Sequence, residues 1–275
     1  MADSSDSSAP GAEGRLPLHG RRVIVTRPGV RGEQLAASLE RLGADALLVP
    51  LTRIEPVDQQ GLAWRLAARE FDWVLFTSAN GVQAAADAAR IANPAGLAPV
   101  LGRMQVAAVG RATAEALHDQ GVGPVVVPGR FDAEALLDTL AARDDVRGRR
   151  VLHPVAAGAS EVLGAGLASL GAHVETVISY ASVPDAAGAA ALRAMLGGRQ
   201  RVDLVTFLAP SAVDAYAGAT GAPPMQEIPA ASIGPVTTAA LAARGIPVAV
   251  EAAEATADRL VDAIAEYFAL LHSEP

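Results

Sequence analysis

The feature that most constrains this chain is a strand-turn-helix passage that occurs twice. Val74-Leu75-Phe76-Thr77-Ser78-Ala79-Asn80-Gly81-Val82 reads as a buried strand that stops at a small polar turn and enters an Ala-rich helix. Ser78 or Asn80 can cap that helix, whose first backbone N–H groups have no partner inside it. Val205-Thr206-Phe207-Leu208-Ala209-Pro210-Ser211-Ala212-Val213 follows the same plan. The echo continues on both sides. Val106-Ala107-Ala108-Val109-Gly110-Arg111-Ala112-Thr113 is matched by Ala231-Ser232-Ile233-Gly234-Pro235-Val236-Thr237, and Arg21 to Val25 is matched by Arg149 to His153. Asp132 to Leu140 is matched by Thr256 to Ile264. A chain patterned in this way is two copies of one α/β unit, and its alternating strands and helices imply parallel sheets covered on both faces.

Composition narrows the function. A length of 275 residues suits two ordinary domains, and 51% hydrophobic against 19% charged residues excludes global disorder. The residues 1–14, rich in Ser, Asp, Gly and Ala, are expected to form a disordered tail. No apolar run is long enough to cross a bilayer, and the start lacks the basic-then-apolar plan of an export signal, so a cytoplasmic protein is expected. With no cysteine, neither a disulfide framework nor a thiolate metal site can form. A net charge of -8 argues against nucleic-acid and membrane-surface partners, which need a basic face. It leaves room for an anionic small molecule held by local donors.

Along the chain, Arg22 to Val25 is expected as a short strand, with Thr26-Arg27-Pro28-Gly29 as the turn after it. Leu35, Leu39 and Leu42 form one stripe of the next helix, which Gly43 closes. Residues 46–57 and 174–184 are extended and apolar but interrupted by Pro50, Pro56 and Pro184. Proline is poorly tolerated inside a central strand, so they read as two paired linking segments. Residues 93–102 read as loop from their Pro and Gly content, and 218–229 as a second, softer one. Asp132 is expected to cap a helix ending near Arg143. Leu260, Val261, Ile264, Phe268 and Leu271 give the last helix one apolar face.

Ligands of open parallel sheets bind outside the carboxyl ends of the strands. That rule selects Thr26-Arg27, Thr77 to Asn80, Gly110 to Thr113, His153-Pro154, Ala209 to Ser211 and Gly234 to Thr237. Any one such turn is also what capping and tight turning require; finding them in matched pairs points to a shared ligand. There is no glycine-rich dinucleotide loop, no phosphate loop and no metalloprotease motif, and lysine is absent, which excludes Schiff-base chemistry. His118 is expected on a helix surface and His153 in a structural role. Tyr180 ends an apolar extended segment, where its phenol either packs or donates to a ligand.

These residues resemble uroporphyrinogen-III synthases over nearly the whole chain after the tail. The resemblance rests on the Val-Ile-Val-Thr-Arg-Pro opening, Phe76 to Val82, Val109-Gly110-Arg111-Ala112-Thr113-Ala114, Tyr180 after Val177-Ile178, and Ile233 to Thr237. It implies a cofactor-free, monomeric lyase of haem biosynthesis that closes hydroxymethylbilane into a macrocycle, inverting the last pyrrole ring with loss of water. It implies two similar parallel-sheet α/β domains joined by a two-segment linker, with the substrate in the cleft between them. Residues 15–49 and 181–271 would form one domain and residues 53–177 the inserted other. Transient contact with the preceding pathway enzyme would deliver the unstable substrate. Carried over by motif, Tyr180 is the catalytic candidate. The substrate-binding candidates are Arg27, Thr77, Ser78, Ala79, Asn80, Gly110, Arg111, Thr113, Ala209, Pro210, Ser211, Gly234 and Thr237. The sequence departs from the family pattern at Val155, where an arginine is common, and at Ala209-Pro210, where a Thr-Ser pair is common. These departures keep an alternative open, a non-catalytic tetrapyrrole- or anion-binding regulatory paralogue.

Overall fold

Strands with apolar centres alternate with helices along most of the chain. In the computed structural model the described residues are 16–143, 145–198, 201–221 and 228–273. The expected tail at 1–14, and residues 222–227 of the expected second loop, lie outside them. The first elements are β1 Arg22–Val25, α1 Gly29–Arg41, β2 Asp45–Leu48, β3 Thr52–Pro56, α2 Gln59–Ala67, β4 Trp73–Phe76 and α3 Ala79–Ala92. Next come α4 Leu97–Leu101, β5 Gln105–Ala108, α5 Arg111–Asp119, β6 Val125–Val126, α6 Ala133–Arg143 and β7 Arg150–Ala156. They are followed by α7 Val162–Ser169, β8 His173–Pro184, α8 Ala186–Leu196, β9 Leu204–Phe207 and α9 Pro210–Thr220. Then β10 Ala230–Ser232, α10 Pro235–Ala243, β11 Val248–Glu251 and α11 Ala257–Ser273 complete the order.

The chain divides into two units, one of residues through Arg53 together with those from Val183, the other Ile54–Ser182. The first holds a five-stranded sheet in the order β11-β10-β9-β1-β2. The second is built on a six-stranded sheet in the order β3-β8-β7-β4-β5-β6. From β1 through β11 the registered neighbours run parallel. The two division points fall inside β3 and β8, so the segments read from sequence as linkers are hydrogen-bonded strands. Val57 N–H donates to Ser179 O at 3.0 Å and Asp185 N–H to Leu51 O at 2.8 Å. Residue numbers fall along one strand as they rise along the other, which makes this pair antiparallel. The prolines that suggested linkers sit at its ends, Pro50 before β3, Pro56 closing β3 and Pro184 closing β8, where a missing N–H costs no ladder bond.

Both faces of each sheet are covered, and side-chain alternation shows how. Val74, Phe76, Val106 and Leu152 pack with Leu62, Val82, Ala85 and Leu117 of α2, α3 and α5. The intervening Trp73, Leu75, Ala107 and Val151 pack with Leu136, Leu140, Leu163 and Leu167 of α6 and α7. In the other unit Val23, Val25 and Leu204 meet α1 and α11, while Ile24, Val205 and Phe207 meet α8, α9 and α10. Strands buried on both faces must read as continuous apolar runs, as these do. Two expectations fail locally. Residues 93–102 are not all loop, because Leu97, Val100 and Leu101 are spaced to bury one face of α4 between Gly96 and Gly102. Leu271 is on the same stripe as Leu260, Ile264 and Phe268 but is 45% exposed in the last turns of α11.

One close approach is strict about residue type. A Cβ added at Gly188 in α8 would lie 1.7 Å from the Pro50 carbonyl oxygen, whereas one at Gly218 in α9 would meet nothing within 4 Å. Alanine is better than glycine inside a helix by about 1 kcal/mol, but overpacking costs about 1–3 kcal/mol. At Gly188 the overlap with rigid backbone wins. Urea denaturation should therefore show Gly188→Ala destabilised by about 2 kcal/mol and Gly218→Ala unchanged or stabilised. Equal midpoints for the two variants would contradict this packing.

Candidate active site

Each sheet reverses its winding direction once. From β4 the chain proceeds outward to β5 and β6, while β7 and β8 lie on its other side. From β9 it proceeds to β10 and β11, with β1 and β2 on the other side. Beyond the carboxyl ends of the strands flanking such a reversal, the connecting loops part and leave a crevice.

In the unit of Ile54–Ser182 the reversal lies between β4 and β7. Their ladder registers only Trp73 with Val151 and Val74 with Leu152. β7 continues to Ala156 on β8 alone, through Pro154, which has no N–H to offer β4. Ser78 caps α3 at this opening, its Oγ accepting the Gly81 N–H at 3.0 Å. The same Oγ lies 2.7 Å from the phenol oxygen of Tyr180, which is only 7% exposed. Tyr180 comes from β8, opposite Ala156 and beside a register shift at Val155/Ala156. That irregularity re-aims a strand end. Thr77 and Asn80 are exposed around the cap and Ala79 is half-buried. One strand over, Gly110 is the N-cap of α5 and makes no side-chain cap; Arg111 follows, exposed, and Thr113 is buried.

The other unit repeats the arrangement between β1 and β9. Thr26 Oγ1 donates to Thr206 O at 2.7 Å and Thr206 Oγ1 donates to Ile24 O at 3.1 Å, both buried. This reciprocal staple fixes the strand ends from which Arg27 and Ala209 leave. Arg27 is half-buried and has no carboxylate partner among the described residues. Burial holds its guanidinium below the ordinary arginine value, and the neighbouring charge of Arg31 adds to the effect. Such a cation gains by acquiring an anion. Ala209 and Gly234 are the N-caps of α9 and α10, each followed by a proline and without a side-chain cap; Ser211 and Thr237 stand in the first turns.

The predicted residues thus form two sets. Thr77, Ser78, Ala79, Asn80, Gly110, Arg111, Thr113 and Tyr180 belong to one unit, and Arg27, Ala209, Pro210, Ser211, Gly234 and Thr237 to the other. Ser78 and Tyr180, which lie 102 positions apart in sequence, are joined directly. Sequence reading passed over Phe131, 55% exposed, whose ring lies 5.7 Å from the Arg111 guanidinium. The available signal was an isolated aromatic in a polar loop of an aromatic-poor chain. It also passed over Arg31, one helical turn beyond Arg27. Among the described residues no cluster of His, Asp and Glu could hold a metal ion, and no helix is long and apolar enough to cross a membrane.

The comparisons with known proteins agree with one another. A sequence model described as uroporphyrinogen-III synthase HemD matches residues 33–262. The uroporphyrinogen-III synthase of Synechococcus elongatus is 30% identical over 269 residues, covering 91% of this chain and 97% of the relative. The chain belongs to the uroporphyrinogen-III synthase family. A porphyrin biosynthesis protein HemD of Ruminiclostridium josui is 33% identical over 132 residues, 47% of this chain but only 26% of that longer protein. In fold, the chain resembles the crystal structure of a mutant uroporphyrinogen III synthase from the extremely thermophilic bacterium Thermus thermophilus. The TM-score is 0.58 at 24% identity, covering 93% of this chain and 100% of the other.

His153 stands apart from this chemistry. It is 2% exposed on β7, its Nε2 has no partner among the described residues, and burial pushes it down to about 4 from 6.5. The folded protein therefore holds it neutral, while the unfolded chain binds its proton near pH 6.5. Stability is complete above that value and falls as the pH drops towards 4, by on the order of 3 kcal/mol in all. Denaturation midpoints measured between these limits should show this slope, and His153→Leu should flatten it. An unchanged slope in the variant would exclude His153 as its source.

Proposed function

We propose that this chain is a uroporphyrinogen-III synthase, closing hydroxymethylbilane with inversion of the last pyrrole ring and release of water. The observation that carries the mechanism is the Ser78–Tyr180 hydroxyl pair at the β4–β7 reversal. Loss of the hydroxymethyl oxygen breaks a C–O bond and leaves a reactive azafulvene. For the last ring to invert, its substituted α-carbon attacks first, and the C–C bond from that carbon to the adjoining methylene then breaks. That methylene rejoins the ring at its free α-carbon, which gives up its proton. The departing oxygen needs a proton. Ser78 Oγ already accepts from Gly81, and by donating its own proton to the Tyr180 oxygen it leaves the phenol proton for the leaving group. The reaction partner is intrinsically reactive, so the remaining acceleration comes from holding the chain ends in the geometry that closes.

The substrate's carboxylates suit the other residues. Arg27, Arg111 and the first turns of α5, α9 and α10 offer guanidinium and backbone donors that no side chain of the N-cap residue consumes. We read the two sheets as copies of one unit, since β8-β7-β4-β5-β6 and β2-β1-β9-β10-β11 have the same order and the same reversal. On this reading the two domains are those of the sequence analysis, β3 and β8 join them, and the enzyme works as a cofactor-free monomer.

The decisive experiment supplies hydroxymethylbilane and separates the products. The wild type should divert closure from the spontaneous I isomer to the III isomer. Tyr180→Phe should slow turnover by roughly 10²-fold at most, with KM little changed. Arg27→Gln should raise KM roughly tenfold, the loss of one charge-assisted contact. Unaltered turnover in Tyr180→Phe would remove the phenol from the mechanism. Substrate binding without any III isomer would favour a non-catalytic paralogue, for which Val155 in place of an arginine is the observation on hand.

A further inference from the structure

At the amino edge of the six-stranded sheet, opposite the edge that carries Ser78 and Tyr180, lies a hollow of about 960 Å3. Three connections far apart in sequence build it: those leading into β4, β5 and β7. It is lined by Arg69, Arg103, Arg147 and Arg149 against Asp72 and Asp145. Both aspartates are engaged. Asp72 accepts from Arg149 Nη1 at 3.3 Å and from the Arg150 N–H at 2.9 Å. Asp145 accepts from Arg143 Nε at 2.5 Å, while its carbonyl accepts from Trp73 Nε1 at 3.2 Å. Arg69 and Arg103 have no carboxylate partner among the described residues.

The placement of Arg69 is costly. It follows the end of α2 with φ +53, the left-handed conformation that glycine usually supplies at this point. A residue with a Cβ is strained there. Arg103 follows Gly102 at the end of α4. A cation beyond a helix C-terminus offsets the negative end of the dipole, which accounts for the sign of both side chains. It does not account for two such cations sharing a concavity of ligand size on a chain of net charge -8.

The geometry points to a second anion site here, taking a compact ligand that bears two or more phosphate or carboxylate groups. Guanidinium forks bind both groups through paired N–H donors, and two of them set apart around a hollow favour a multivalent ligand over a single ion. The site is separate from the turns assigned to ring closure.

Calorimetric titration of the full chain without substrate tests this, using inorganic tripolyphosphate and, separately, citrate as probes. Binding of either should weaken at least tenfold in the double variant Arg69→Gln/Arg103→Gln, weaken with added salt, and remain unchanged in Arg27→Gln. The stronger probe identifies the ligand as phosphate or carboxylate in type. In a Trp64→Phe background Trp73 is the sole indole, and its emission should change on binding. III-isomer formation by the double variant should stay at the wild-type rate. Absence of heat with both probes, or equal affinity in the double variant, would overturn the proposal and leave the assignment of the carboxyl edge untouched.

Discussion

The arrangement depends on a ladder that stops early. β4 and β7 pair over two registered positions and then part, because β7 carries Pro154 where the next donor towards β4 would be needed. Past that point β7 is held only by β8, and the irregularity at Val155/Ala156 lies beside Tyr180. The phenol therefore arrives at the N-terminus of α3 from a strand that is neighbour to a neighbour. Ser78 completes the junction by serving the backbone of its own helix and the side chain of a distant strand with one oxygen. Remove the parting of these strands, and neither the crevice nor the hydroxyl pair has a place to form.

A second economy runs through the helix starts. Ser78, Asp58 and Asp185 cap their helices with side-chain oxygens. Gly110, Ala209 and Gly234 do not; relative to a capping residue the alanine forgoes about 1 kcal/mol of helix stability and each glycine only a few tenths. These three starts lie at the carboxyl edges of the sheets, where an anion can take the place of the cap. Arg27 shows the same logic in a side chain: it is desolvated, repelled by Arg31, and without a carboxylate partner among the described residues. Stability forgone by the folded chain becomes affinity for whatever supplies the negative charge.

Much of this was legible in the sequence, and the parts that were not share a cause. Continuous apolar runs marked β1, β4, β5 and β9, and Asp132 and Gly43 marked helix ends correctly, since each signal is local. The Thr-Ser-Ala-Asn turn narrowed the cap to Ser78 or Asn80 for the same reason, and the fold uses Ser78. Prolines 50, 56 and 184 marked the two paired segments but not their strand character, because the effect of a proline depends on which side of a strand needs a donor, and only the neighbouring strand decides that. α4 was hidden by Pro99 and two flanking glycines although its Leu97, Val100 and Leu101 carry the helical spacing. The contact of Tyr180 with Ser78, the burial of Arg27 and the rim of Phe131 on Arg111 all join distant segments. Motif matching could name Tyr180, Ser78, Arg27 and Arg111 but not Phe131, and only the packed sheet states which of them touch.

The staple between Thr26 and Thr206 joins residues 180 positions apart, with the whole of the other unit encoded between them. A chain emerging from the ribosome must therefore make β1 and β2 long before their central neighbour β9 exists. The unit of Ile54–Ser182 has all its strands within one continuous stretch and can close first. Until β9 is made, the apolar edge of β1 is an unpaired strand in a growing chain, exposed to pairing with the wrong partner. Synthesis rate and chaperone access across that interval become determinants of yield, set by connectivity and independent of how stable the finished protein is.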